Sequence, residues 1–306
     1  MDGVLKGFFI VGSVLLAGYL LGRFRILGHE GARVLSALSF SVGLPSLMFS
    51  MIATRHITEI LTPTGLISMG TAVAVMVIFA GVGAVRRWGV HRTTLGALAS
   101  GLVNSTNLGV PLSAYILGSA NYVTPIILFQ LALVTPVALT ILDFANTGER
   151  RSVVRALFTP LRNPVTVAAL LAILFSVCGI SIPATIMAPV SLVAQMTIPL
   201  MLLIFGMSLQ GFSAGASASD RPLTVLSVVL KSFVQPALAW MLAALVFRLD
   251  AFSTFVVVVC AILPTGQNVV LYAFRYGTGQ TIARGTAIFT SALAVPLLFS
   301  AALFLS

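Results

Sequence analysis

Asn104-Ser105-Thr106-Asn107-Leu108-Gly109-Val110-Pro111-Leu112 interrupts an otherwise apolar segment, Thr94 to Leu117, that is long enough to cross a bilayer. Two amides, two hydroxyls, a glycine and a proline are badly placed in one unbroken membrane helix. Pro111 has no N–H, and its ring would clash with the carbonyl of Asn107. Irregular backbone at membrane depth is tolerated only where protein buries it or where it lines a water-filled cavity. The stretch therefore predicts two half-helices joined by extended backbone, set against a cavity.

Composition agrees that the solvent is lipid. Hydrophobic residues make up 58% and charged residues 8%, against about 25% charged in soluble domains, and the mean hydropathy is +1.10. The chain reads as an all-α polytopic membrane protein. A net charge of +10 raises the question of nucleic acid, but the arginines fall in small groups between apolar segments. That pattern is topogenic and argues against a nucleic-acid partner. Cys178 and Cys260 sit in apolar runs without CxxC spacing, and His29, His56 and His91 lie in connections, so neither a disulfide framework nor a metal site is expected. No HExxH and no P-loop is present, which removes the corresponding enzyme and ATPase classes, and no cofactor is expected.

Ten spans are expected: Gly3 to Gly22, Gly31 to Ala53, Thr64 to Val85, Thr94 to Leu117, Tyr122 to Leu142, Pro164 to Gly179, Pro183 to Leu209, Pro222 to Phe247, Phe252 to Tyr276 and Thr281 to Leu305. The first reads as a span rather than a signal peptide, having no small-residue cleavage site. Connections after odd-numbered spans carry Arg23, Arg25, Arg33, Arg86, Arg87, Arg92, Arg150, Arg151, Arg155, Arg162, Arg221, Arg275 and Arg284. The ends and the even connections carry only Lys6, Arg55 and Arg248. Both termini are therefore expected to face away from the cytoplasm.

The longest basic connection, 143–163, divides the chain into units 1–142 and 164–306. Each unit has a proline ahead of a Leu/Met/Phe run in its second span (Gly43 to Met51; Ile198 to Leu209). Each has a polar break in its fourth, Asn104 to Pro111 and Leu263-Pro264-Thr265-Gly266-Gln267-Asn268-Val269-Val270, so that Asn104 aligns with Pro264 and Asn107 with Gln267. Pro136 and Pro296 match at the same offset of 160. A duplicated unit with an odd number of spans enters the bilayer upside down, giving two inverted five-helix repeats with one broken helix each. Secondary transporters with a midplane binding site are built this way.

If the breaks cross, half-helix N-termini meet at one cavity, with Pro111 opening one second half-helix and Pro264-Thr265-Gly266 preceding the other. A carboxylate would suit that field. Asn104, Asn107, Gln267 and Asn268 supply donors and acceptors, and Ser105, Thr106 and Thr265 supply hydroxyls. The competing reading is that these side chains only cap broken backbone. Lys231 is the one charge well inside a span. It either serves as a pathway charge for an anion or has a structural role, such as pairing with a carbonyl freed by Pro236. All seven acids, Asp2, Glu30, Glu59, Asp143, Glu149, Asp220 and Asp250, lie at span ends or in connections. No buried carboxylate is available to relay protons or hold sodium, which leaves open a sodium site made of carbonyls, Asn, Gln and Thr.

The G-L-P-S-L-M-F, N-x-x-N-L-G-V-P-L, K-x-x-x-x-P and L-P-T-G-Q-N-V-V-L-Y-A-F-R-Y-G motifs of spans two, four, eight and nine resemble the auxin efflux carrier family, and the likeness runs through the whole chain. That family includes plant auxin exporters and bacterial proteins described as malonate or organic-acid permeases. The short middle connection looks bacterial, which implies the inner membrane. The resemblance implies a fold of the bile-acid sodium symporter type, with spans one, two, six and seven as a scaffold and the rest moving as an elevator, and a homodimer. It implies a substrate site at Asn107, Pro111, Pro264, Gln267 and Asn268. The expected function is a carrier of small organic anions working by alternating access, with membrane lipid as its other partner. A sodium-coupled symporter and a non-transporting membrane receptor are the rival readings.

Overall fold

The computed structural model describes residues 2–28, 30–53, 62–147, 163–180, 182–208 and 220–305, and its regular structure is helical. Twelve helical segments follow one another: α1 (Asp2–Arg23), α2 (Gly31–Ala53), α3 (Pro63–Val85), α4 (Val90–Gly101), α5 (105–116), α6 (120–147), α7 (Pro164–Val177), α8 (Ala184–Ser208), α9 (Arg221–Val246), α10 (Ala251–Ile262), α11 (Gln267–Arg275) and α12 (Gln280–Leu305). Of these, α2, α3, α6, α8, α9 and α12 are long and apolar enough to cross a membrane alone. The pair α4 and α5 fills the segment expected as the fourth span, and α10 with α11 fills the ninth. Helix α6 continues to Thr147, past its expected end at Leu142. His29, Arg55, His56, Glu59, Glu149, Arg150, Arg151, Arg155, Arg162 and Leu209 lie outside the described residues.

Prolines shape the helices in a repeated way. Four π turns each end two residues before a proline: Ser39–Gly43 before Pro45, Ser105–Gly109 before Pro111, Gln130–Val134 before Pro136 and Leu230–Val234 before Pro236. A π turn shifts the hydrogen bond from residue i−4 to i−5. The extra residue gives the ring room that a regular α-helix would deny it. The helix then continues through the proline instead of stopping at it.

Two groups of helices pack side by side. In one, α1 lies along α8, and α2 packs on both α7 and α8. Gly206 and Gly18 permit the α1–α8 approach: a Cβ on Gly206 would meet the Leu15 carbonyl, and one on Gly18 the Leu203 carbonyl. In the other group α3, α4, α6, α9, α10 and α12 surround one another. Its centre is α10, where every residue from Thr254 to Ile262 is buried, as expected of a helix apolar on all sides. Large apolar side chains cover the outside, including Phe9 (76% exposed), Leu192 (71%) and Phe304 (85%). An exposed apolar surface of this extent fits hydrocarbon rather than water.

Candidate functional site

The two breaks cross and pair. After α4 the chain turns extended at Leu102 (φ −80°, ψ 108°), and after α10 at Leu263 (φ −47°, ψ 134°). Val103 and Thr265 then form an antiparallel bridge. The Asn104 amide donates to the Pro264 carbonyl (2.7 Å), and the Gly266 amide donates to the Leu102 carbonyl (2.8 Å). Unpaired backbone at this depth costs several kcal/mol per group, so each break supplies what the other needs. Pro264 fits because it only has to accept. The bridge is fastened to both sides: Thr265 Oγ1 donates to the Ala99 carbonyl (2.7 Å) and the Thr265 amide donates to Thr290 Oγ1 (3.1 Å).

The first break lies earlier than the polar stretch suggests. It occupies Leu102–Asn104, while Ser105–Gly109 are already wound into a π turn that runs into Val110–Ile116. Pro111 is therefore inside α5 rather than its first residue. Gly109 donates to the Asn104 carbonyl (2.9 Å) and Val110 to that of Ser105. Pro111 has nothing to donate, so the Thr106 carbonyl is left without a helical donor. The second break matches expectation, since Gly266 is the N-cap of α11 and Gln267 its first residue.

Between the starts of α5 and α11 lies a cleft of about 20 Å3, lined by Asn104, Ser105, Thr106, Asn107, Gln267 and Asn268 together with Gln130 and Thr135 of α6. That volume holds about one water molecule. The first amides of both helices have no acceptor within their own helix, and both positive dipole ends face this space. Asn107 Nδ2 donates to Gln267 Oε1 across the crossing (3.2 Å), and Gln267 Nε2 donates to Ser208 Oγ at the end of α8 (2.9 Å). Ser105 Oγ donates to Gln130 Oε1 (3.4 Å). Asn104 Nδ2 is buried and has no hydrogen-bond partner. Asn104 Nδ2 is thus a spare donor at the cleft.

Pro111, Pro264, Thr265 and Lys231 do not line the cleft. Pro264 and Thr265 build the crossing behind it. Lys231 donates to Gln235 Oε1 and to the Ala261 carbonyl, both at 2.7 Å, so its partner is the end of α10 rather than a carbonyl freed by Pro236. The sequence reading missed Gln130, Ser208 and Thr290. Gln130 carried a signal, being an amide inside an apolar run, whereas Ser208 and Thr290 look like ordinary helix hydroxyls. A larger hollow of about 410 Å3 lies between α3, α4 and α6. Apart from Thr93 and Thr94 its walls are apolar side chains such as Val77, Leu133 and Val137, themselves half exposed, and it offers little to an anion. Among the described residues no three His, Cys, Asp or Glu side chains gather as a metal site would require.

A helical bundle with an apolar exterior, whose two interrupted segments cross at a polar cleft, defines a multi-pass membrane protein. The model of the family described as membrane transport protein matches residues 4–156 and 150–301, and the chain belongs to that family, whose members are transporters and not enzymes. This is the auxin efflux carrier-like family that the motifs of spans two, four, eight and nine resemble. No curated protein matches the chain.

Proposed function

We propose that the chain is a secondary carrier of small organic anions, of the malonate-like or auxin-like carboxylate class, working by alternating access at the α4–α5/α10–α11 crossing. The observation that carries this reading is Asn104 Nδ2: a buried donor without a partner, beside a cleft onto which two helix N-termini open. A carboxylate would accept from Asn104 and from the amides of Thr106 and Asn107 in α5 and of Gln267 and Asn268 in α11, with the side chains of Ser105, Thr106, Asn107, Gln267 and Asn268 around it. The cleft is too small for such a substrate as it stands, so entry requires α5 and α11 to part. Gln267 spans that gap, holding Asn107 on one side and Ser208 of α8 on the other.

In this reading the architecture is two inverted five-span repeats in a fold of the bile-acid symporter type. Two hydrogen bonds support it by joining residues 160 apart: Asn104 to Pro264 and Asn107 to Gln267. A residue that bonds its own counterpart lies on a two-fold axis. Off the axis, Ser105 and its counterpart Thr265 each bond a residue 25 positions further on, Gln130 and Thr290. The packed group α1, α2, α7 and α8 would be the scaffold of an elevator, and the other group would carry the crossing. The distribution of Arg and Lys supports termini facing away from the cytoplasm, in a bacterial inner membrane, and the working form would be a homodimer.

Charge movement in proteoliposomes exposed to malonate, other mono- and dicarboxylates and indole-3-acetate tests the proposal. A current evoked by one acid without sodium is the expected result. A current that requires sodium would favour the symporter instead. Silence across the panel from folded protein would overturn the organic-anion assignment.

A further inference from the structure

Lys231 lies in the π turn of α9 and is buried, with 1% exposure. Its two acceptors, the Ala261 carbonyl and Gln235 Oε1, place the ammonium against the last turn of α10. There the final carbonyls have no donor within the helix, and the helix dipole presents its negative end. Among the described residues the ion pairs are Arg33–Glu30 and Arg92–Asp220, so no carboxylate balances Lys231. Its counterpart 160 residues earlier is Thr71, whose hydroxyl donates to the Ser68 carbonyl in its own helix. The carboxyl end of α4 receives the neutral Thr265 hydroxyl on Ala99. Of the two half-helix ends at the crossing, the one in α10 is met by a lysine amine.

In carriers built on broken helices, unwound carbonyls and half-helix carboxyl ends are where coupling cations such as sodium bind. A helix-terminal carbonyl and an amide oxygen, the two groups that hold Lys231, belong to the oxygen set a hard cation uses. We propose that Lys231 is a built-in substitute for a coupling cation: its ammonium permanently occupies the carboxyl end of α10, so the anion crosses without sodium and carries its own full charge. Because the ammonium is tethered to α9, it cannot dissociate on either side, and no cation gradient is drawn on. This inference rests on the carrier reading given above.

Lys231→Ala vacates the position and leaves Ala261 and Gln235 facing it. In detergent, the thermal midpoint of that variant should rise as sodium, lithium or ammonium is added, and not with choline at equal ionic strength. The unsubstituted protein should show no such response. In proteoliposomes, organic-anion flux by Lys231→Ala should become sodium-dependent, with one less charge moved per substrate, while Lys231→Arg stays independent of sodium. A purely structural lysine would move neither the sodium dependence nor the charge ratio. The proposal is overturned if sodium stabilises or accelerates the unsubstituted protein. It is also overturned if Lys231→Ala behaves alike in sodium and choline, including the case in which it is unfolded in both. The thermal measurement needs no substrate, so failure of the organic-anion reading would appear separately, as silent flux beside intact cation rescue.

Discussion

Replacing Asn104 by alanine should separate substrate binding from folding. Asn104 Nδ2 is buried without a partner, and leaving such a donor unpaired costs about 1–3 kcal/mol. The main-chain bond from Asn104 to Pro264, 2.7 Å long, does not depend on the side chain. The space vacated adjoins a cleft that already has room for water. Asn104→Ala therefore holds thermal stability level or raises it by up to about 1 kcal/mol, roughly 2 °C for a chain of this size. Binding moves the other way. A hydrogen bond to a charged acceptor contributes about 1.5–3 kcal/mol, and its loss lowers affinity for a carboxylate by roughly 10- to 140-fold. Thermal unfolding in detergent, with and without malonate, and flux from the same preparation report the two quantities side by side. A variant that melts several degrees lower and binds as tightly as before refutes the reasoning, because the amide would then be holding the broken backbone and not the substrate.

Asn107→Ala should abolish flux with the fold intact, since it removes a single side-chain hydrogen bond, 3.2 Å to Gln267, and such bonds between membrane helices contribute about 0.6 kcal/mol; normal uptake would remove Asn107 from the site. Thr265→Val keeps side-chain volume but strands the buried Ala99 carbonyl, so a stability loss of about 1–3 kcal/mol is expected in thermal unfolding, and an unchanged midpoint would mean another donor reaches Ala99. Gly206→Val drives a side chain into the Leu15 carbonyl; backbone cannot yield as a side chain can, and a cost of at least about 1–3 kcal/mol should appear as loss of monodisperse protein. Asp250 caps α10 by accepting from the Ser253 amide (3.0 Å), and the Ser253 hydroxyl, ahead of the backbone amides of Ser253 and Phe252, holds its carboxyl below the usual aspartate value of 3.8. A lowered folded value means the cap's contribution is complete above 3.8 and is lost as pH falls through the lower folded value. The thermal midpoint should therefore drop in that acid window, and Asp250→Asn should flatten the drop.

The helical framework was legible because a run of about twenty apolar residues has few fates other than a membrane span. Asn104, Asn107 and Gln267 were legible because amides have no place in hydrocarbon unless something meets them. What meets them was harder to read. Leu102 and Val103, which form the first break, are apolar and carry no mark of irregular backbone. They are extended because the Gly266 amide and Thr265 lie opposite, more than 160 residues away in sequence. The partner of Lys231 was hidden for the same reason, being a main-chain carbonyl thirty residues on. Polar side chains announce themselves in a sequence, whereas backbone partners do not.

Pro111 shows why a proline is a poor guide to where a membrane helix breaks. Pro45, Pro111, Pro136 and Pro236 all follow π turns and are absorbed by them, so α5 runs through Pro111 and into Ile116. The interruption falls instead at Leu102–Asn104, where a second interrupted strand can complete the hydrogen bonding. A break in lipid is therefore a property of two segments together. Opened alone, either one would leave amides and carbonyls unpaired at several kcal/mol each. Once paired through Val103 and Thr265, the extended segments supply each other's main-chain partners, and the amides that lack an acceptor within a helix fall one turn onward, in the first turns of α5 and α11, where that of Ser105 turns back to the Val103 carbonyl (2.8 Å). That is where Ser105, Thr106, Asn107, Gln267 and Asn268 stand. The polar residues do not cause the break; they occupy the two helix starts that the crossing leaves open.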